Sequence, residues 1–226
     1  VPALTTRWRS YPVLGWLSVG AVLVVLGRIA FDPTILGAFA LGRTPIFNAL
    51  LPGYGVPALA FGFAAWQLAR TTAGRPRLVM EAAAALLALL TLAMLVRHAM
   101  NGGVINTNTP TLAEQAIYTL IALGAGAILV ALDMRSPSSV LRIGSLAAGV
   151  VSVAFVVAQH FVLLNPLFAD ESTGGIPVFN LLFLAYLLPG LAYEGAAWMA
   201  NTRRPRHYVV ALALSGALLI FAYVTL

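Results

Sequence analysis

Long apolar runs alternate with short polar segments along the whole chain. They cover 12–30, 45–69, 78–97, 112–132, 143–163, 177–199 and 208–226. About 20 apolar residues carry a helix across the hydrocarbon core, where an open strand would leave its backbone unsatisfied. The pattern therefore predicts an all-α polytopic membrane protein with about seven transmembrane helices. The polar segments punctuate it. Arg70 to Arg77, Asp133 to Arg142 and Asn201 to His207 are basic, whereas His98 to Pro110 and Asn165 to Gly175 are mostly neutral.

One stretch occurs twice. Phe47 to Trp66 reads FNALLPGYGVPALAFGFAAW, and Phe179 to Trp198 reads FNLLFLAYLLPGLAYEGAAW. Asn48 and Asn180, Tyr54 and Tyr186, Pro57 and Pro189, and Trp66 and Trp198 all stand 132 positions apart. The same offset pairs Pro45 with Pro177 and Arg28 with His160, and Arg75-Pro76-Arg77 recurs as Arg204-Pro205-Arg206 with three residues lost. A fixed period marks a duplicated structural unit. It divides the chain into a first membrane repeat of four spans at 1–132 and a second of three at 133–226, which reads as truncated. A repeat of four helices keeps its orientation, so the copies are parallel and the inverted-repeat transporter plan is disfavoured. Arg28 and Arg97 both close a helix running the same way, a fainter half-period.

Composition narrows the class. Hydrophobic residues make up 61% of the chain and charged residues 9%, against roughly 25% charged in a soluble domain. Without cysteine there is neither a disulfide framework nor a thiolate metal site. All 13 cationic Lys and Arg residues are arginine. They sit at helix ends and form no nucleic-acid footprint. Ten of them (7, 9, 70, 75, 77, 135, 142, 203, 204, 206) fall on one side, and Arg28, Arg43 and Arg97 on the other. The positive-inside rule places the N-terminus and the arginine-rich turns in the cytoplasm of a bacterium, the chain being multi-pass in its inner membrane. No cleavable signal peptide is visible, and both ends read as cut from a longer protein.

Candidate chemistry is sparse. Pro57 and Pro189 lie inside the second and sixth spans, where each kinks its helix and frees a carbonyl one turn back, near Gly53 and Ala185. Such broken helices line substrate sites in transporters, although prolines are also common in ordinary membrane helices. Tyr54 and Tyr186 stand within reach of those carbonyls. On the extracytoplasmic side Arg28, Arg97, His98 and His160 end the odd-numbered spans, and Asn48 and Asn180 open the facing ones. Together they could form a cationic ring suited to a headgroup or carboxylate. The simpler account for each is snorkelling or pairing with a helix C-terminal dipole. Thr111 and Glu114 make a capping box, a structural role. Glu81 and Glu194 lie inside spans near the arginine-rich face, close enough to pair with Arg77, Arg203 or Arg204. Glu194 replaces Gly62 of the first copy, so the repeat does not require it. Trp66 and Trp198 read as interfacial anchors. No metal-ligand spacing, cofactor fingerprint or nucleophile motif is present.

Several local runs carry a resemblance. RHAMNGG (Arg97 to Gly103) is followed by EQAIYTLIALGAG (Glu114 to Gly126), LRIGSLAAG (Leu141 to Gly149) and Asn165-Pro166. Over residues 40–226 this resembles the bacterial family of predicted membrane proteins designated domain of unknown function 2339. The resemblance implies a long, many-span inner-membrane protein and supplies no catalytic residues. Gln159-His160 departs from its Arg-His pattern.

Three functional classes remain. The first is binding or transport of a small or lipid-like anionic molecule at the outer face, in a pocket lined by Arg28, Asn48, Tyr54, Arg97, His98, His160, Asn180 and Tyr186. The second is a structural or accessory subunit packed through its small-residue faces into a larger membrane complex. The third is an envelope enzyme acting on lipid-linked substrates with His98 or His160 as base. It is the least favoured, because no acid–base pair has a defined spacing. The expected partners are the lipid bilayer and other membrane subunits. No cofactor, metal or nucleic acid is expected.

Overall fold

A proline inside a helix removes one N–H donor and obliges the preceding turn to rearrange. In the computed structural model both repeated prolines do this in the same way. A π-helical turn, π1 (Leu51–Gly55), precedes Pro57, and another, π3 (Phe183–Leu187), precedes Pro189, at positions 132 residues apart. In each the bonding lengthens to five residues, Val56 N–H donating to Leu51 O and Leu188 N–H to Phe183 O. The sequence-based expectation was a plain kink. The wider turn keeps the backbone bonded up to the proline, and π turns inside α-helices often mark functional places.

The structure describes residues 2–8, 12–31, 41–71, 74–106, 110–169, 174 and 180–226. Among them the secondary structure is helical throughout. After a short α1 (Pro2–Thr5) come α2 (Pro12–Phe31), π1 with α3 (Val56–Thr71), and α4 (Arg75–Met100). Then follow α5 (Leu112–Arg135), α6 (Ser139–Phe155) with π2 (Val156–Leu163), π3 with α7 (Leu188–Ala200), and α8 (Arg206–Thr225). Five of the resulting helices are long and apolar enough to cross a membrane: Val13–Phe31, Arg75–Met100, Leu112–Arg135, Ser139–Leu163 and Arg206–Thr225. The π1–α3 and π3–α7 helices are not among them, being interrupted by Pro, Gly and Tyr. Residues 45–49, read from the sequence as the start of a span, are non-helical; 175–179, at the start of the other, lie outside the described residues.

Local chemistry sets the ends. Thr111 caps α5, its side chain accepting from Glu114 N–H at 3.3 Å, as the capping box predicts. Glu114 is buried and takes the Tyr118 hydroxyl at 2.6 Å. α4 starts with Pro76 in its first turn and stops at Gly102 and Gly103, both at positive φ, where Gly103 N–H returns to His98 O.

The chain forms two compact units, Val1–Thr107 with Ser138–Leu141, and Asn108–Pro137 with Arg142–Leu226. In the first, α2, α3 and α4 close on a core of Leu50, Tyr54, Phe61, Leu68, Met80 and Leu87. In the second, α5, π3–α7 and α8 close on Leu123, Val156, Tyr186, Tyr193, Leu212 and Leu219. Many large apolar side chains face outward, Leu59 at 77% and Phe221 at 66% exposure among them. A soluble domain would not tolerate that; lipid does.

Candidate functional site

The prolines leave Gly53 and Ala185 without their helical donors, and the second unit supplies a replacement from a side chain. His160, fully buried in π2, has Nδ1 at 2.9 Å from Ala185 O. A carbonyl only accepts, so Nδ1 carries the proton. In a neutral ring Nε2 then accepts from the Thr119 hydroxyl at 3.1 Å, and the Gln115 backbone also faces the ring. Tyr186 does not donate to the freed carbonyl, as its position in the sequence suggested. Its hydroxyl donates instead to His160 O at 2.7 Å, and its ring meets the imidazole edge-on at 5.9 Å. A side chain inserted into the α6–π2 bonding is a recognised cause of local rewinding, and Tyr186 occupies that role in π2.

The first unit arranges matching positions differently. Arg28 is exposed, and its Nη2 lies 3.9 Å from where a Cβ on Gly53 would stand. Tyr54 is buried. His98 is buried as well but serves a loop: Nε2 is 2.8 Å from Gly42 O and Nδ1 is 3.3 Å from Asn48 Nδ2. Asn48 in turn accepts from Leu50 N–H at 2.9 Å. Gly42 has a φ of 92°, a conformation open mainly to glycine, and Gly174, 132 positions on, has 91°. Arg97 Nε donates to Ile105 O at 3.2 Å. Asn180 Oδ1 accepts from Phe183 N–H at 3.1 Å, at the start of the helical turn that leads into π3.

The predicted residues therefore gather in two groups, one inside each unit: Asn48 with His98, and His160 with Ala185 and Tyr186. Among the described residues no cluster of His, Asp and Glu could hold a metal. The two small clefts in the second unit are apolar, one beside Gly149, Val153 and Tyr208 and the other between α5 and α7. None of the candidate binding residues lines either.

Two kinds of polar contact were missed in the sequence: Ser152 and Tyr193 are lone polar residues in apolar runs, and Asp133 and Arg204 lie in separate basic turns that nothing local joins. The Tyr193 and Ser152 hydroxyls meet at 2.6 Å, and Ser152 also donates to Thr119 O at 3.2 Å. Nearer the arginine-rich turns, Arg204 is buried with Nη2 3.0 Å from Asp133 Oδ2, an ion pair whose N–H is not aligned for a hydrogen bond. Its Nε donates to Ser145 Oγ at 2.9 Å, and Tyr208 donates to Ser145 O at 3.0 Å. In the first unit Glu81 pairs with Arg77 at 2.7 Å, as its spacing predicts, and accepts from Ser138.

Comparison with known families decides the identity, since the predicted membrane protein family DUF2339 matches residues 2–226. The chain belongs to the DUF2339 family. No curated protein and no solved structure matches it. The long apolar helices and outward-facing side chains described above agree with the DUF2339 family's description as predicted membrane proteins.

Proposed function

We propose that the chain is a structural, membrane-embedded module of a larger membrane assembly. In this reading it has seven spans, π1–α3 and π3–α7 joining the five long helices, and arose as a tandem parallel repeat. It lies in a bacterial inner membrane with its N-terminal side and arginine-rich turns in the cytoplasm. The repeat is supported by π1 and π3 standing 132 positions apart, and by Gly42 and Gly174 sharing one backbone conformation at the same offset.

The observation that carries the structural role is the state of the two histidines. All four ring nitrogens of His98 and His160 are engaged by the protein's own groups, and both rings are buried. A histidine that bound an anion or accepted a substrate proton needs a nitrogen free and reachable. These lock a loop and a broken helix instead.

Thermal unfolding of the purified chain in lipid nanodiscs, with phosphatidylglycerol, inorganic phosphate or citrate added, separates this from the anion-binding reading. A ligand present at a hundred times its Kd adds about 2.7 kcal/mol, several degrees of melting temperature. The structural reading expects no such rise. A rise that Arg28→Ala or His160→Ala abolishes would sink it and establish a binding site.

A further inference from the structure

We infer that the exposed face of α7 docks a transmembrane helix carrying a cationic side chain, with Glu194 as its counter-charge. The inference rests on the preceding reading of π3–α7 as a span and of the chain as one part of a larger assembly.

Glu194 lies six residues before the end of α7, about 9 Å along the axis. It is exposed, between apolar neighbours on the same face: Leu191 is 54% exposed and Trp198 83%. Among the described residues Glu194 makes no hydrogen bond or ion pair. The arginines nearest in sequence are committed elsewhere. Arg203 donates to Met199 O, and Arg204 is held by Asp133 and Ser145. Its carboxylate instead rests on bare backbone, Oε1 lying 2.7 Å from where a Cβ on Gly216 would stand. An ionisable group inside a span is costly unless partnered, so an unpartnered one on an outward face calls for a cation from outside the chain.

The neighbouring flank of α7, which begins at Gly195 about 100° round the axis from Glu194 and turns toward α5, admits a helix. Gly195 has nothing within 4 Å of its missing Cβ, and beside it Ala192, Ala196 and Met199 form a shallow groove with Leu120, Leu123, Gly124 and Ala127 of α5. Small residues let helix backbones approach closely in lipid, and a polar contact then fixes the register. The first unit has Gly62 in place of Glu194, so this face belongs to the second unit alone.

The test co-reconstitutes the donor-labelled chain in phosphatidylcholine vesicles with an acceptor-labelled poly-leucine transmembrane peptide. The peptide carries one lysine about 9 Å from its end, or leucine there. Energy transfer above random mixing is expected for the lysine peptide, with apparent affinity about tenfold lower for the leucine peptide or for Glu194→Gln. Gly195→Leu, filling open space, should weaken pairing at an unchanged melting temperature. Equal transfer with both peptides on the unaltered chain overturns the inference, whether or not the variants fold. So does displacement of the lysine peptide by phosphatidylethanolamine, which would assign Glu194 to a headgroup ammonium. Failed pairing leaves the structural reading standing while no anionic probe raises the melting temperature; a probe that raises it sinks that reading whatever the peptides do.

Discussion

In the first unit Arg28 lies exposed beside Gly53, whereas in the second His160, 132 positions on, is buried against Ala185. Each stands beside a helix in which a proline strips a carbonyl of its donor, and His160 supplies the missing one. The second unit continues the difference inward. Ser145, Ser152 and Tyr193 are buried and polar there, while the corresponding Val13, Gly20 and Phe61 of the first unit offer no hydroxyl. The same offset also sets Gly190 against Ala58. A π turn before a mid-helix proline thus occurs in two surroundings, beside an exposed arginine in the first unit and beside a buried, hydrogen-bonded histidine in the second. The hydroxyls of Ser145, Ser152 and Tyr193 have no counterpart at the matching positions of the first unit, whose own buried Ser18 and Thr91 donate to carbonyls of their own helices.

The strongest contrast lies near the arginine-rich turns. Arg204 is buried against Asp133, while Arg75, its counterpart in the repeated Arg-Pro-Arg, is exposed. Removing one member of a buried ion pair leaves the other charge uncompensated and costs about 3–5 kcal/mol. Asp133→Ala should lower the unfolding free energy in mixed micelles by that order, and Arg75→Ala should leave it unchanged, as exposed cations usually do. Equal effects would mean that the two units do not differ at this end as described.

His160→Ala comes next. It leaves the Ala185 carbonyl and Thr119 hydroxyl unpaired and opens a cavity, together about 3 kcal/mol. Arg28→Ala, at an exposed position, should shift the same unfolding curve little. His160→Gln, able to reach one partner, should fall between. A loss from Arg28→Ala as large as that from His160→Ala would break the comparison.

How much of this could be read from the sequence follows from distance along the chain. The apolar runs, the Thr111–Glu114 box and the Arg77–Glu81 pair depend on residues within a turn or two, and pattern suffices for them. The prolines announced a break, but whether a kink or a π turn results depends on who satisfies the freed carbonyl. That partner, His160, comes from 25 residues away. Asp133 and Arg204 looked like topology charges in separate turns, and nothing local joins them. Arg28, Arg97, His98 and His160, from which the sequence reading drew a binding ring, lie in the last turns of α2, α4 and π2. The sequence could not reveal that the imidazoles turn inward, because burial is a tertiary property.

Gly190→Ala tests packing at a smaller scale. A Cβ there would stand 2.7 Å from Ile220 Cγ1 and 3.2 Å from Gly216 O, so α7 and α8 must part. Overpacking costs typically 1–3 kcal/mol, and backbone on one side argues for about 2. The reverse exchange, Ala58→Gly in the first unit, should cost less, its penalty being backbone entropy of about 1 kcal/mol. Unfolding of both variants in the same micelles measures the ratio. A Gly190→Ala variant as stable as the original would show that α7 and α8 can move apart freely.

The smallest effect is the most informative about the buried hydroxyls. Tyr193→Phe installs the residue that the first unit already carries at Phe61, and it removes the 2.6 Å contact with Ser152. Ser152 keeps its bond to Thr119 O, so no donor is orphaned. Hydrogen bonds between membrane helices average about 0.6 kcal/mol and rarely exceed about 1.7. Tyr193→Phe should therefore lower the unfolding free energy by about 0.6 kcal/mol, and adding Ser152→Ala should cost about as much again, since it also removes the bond to Thr119 O. If the single change instead cost more than about 2 kcal/mol, the Tyr193–Ser152–Thr119 chain would be holding the second unit together in a way the first unit never needed.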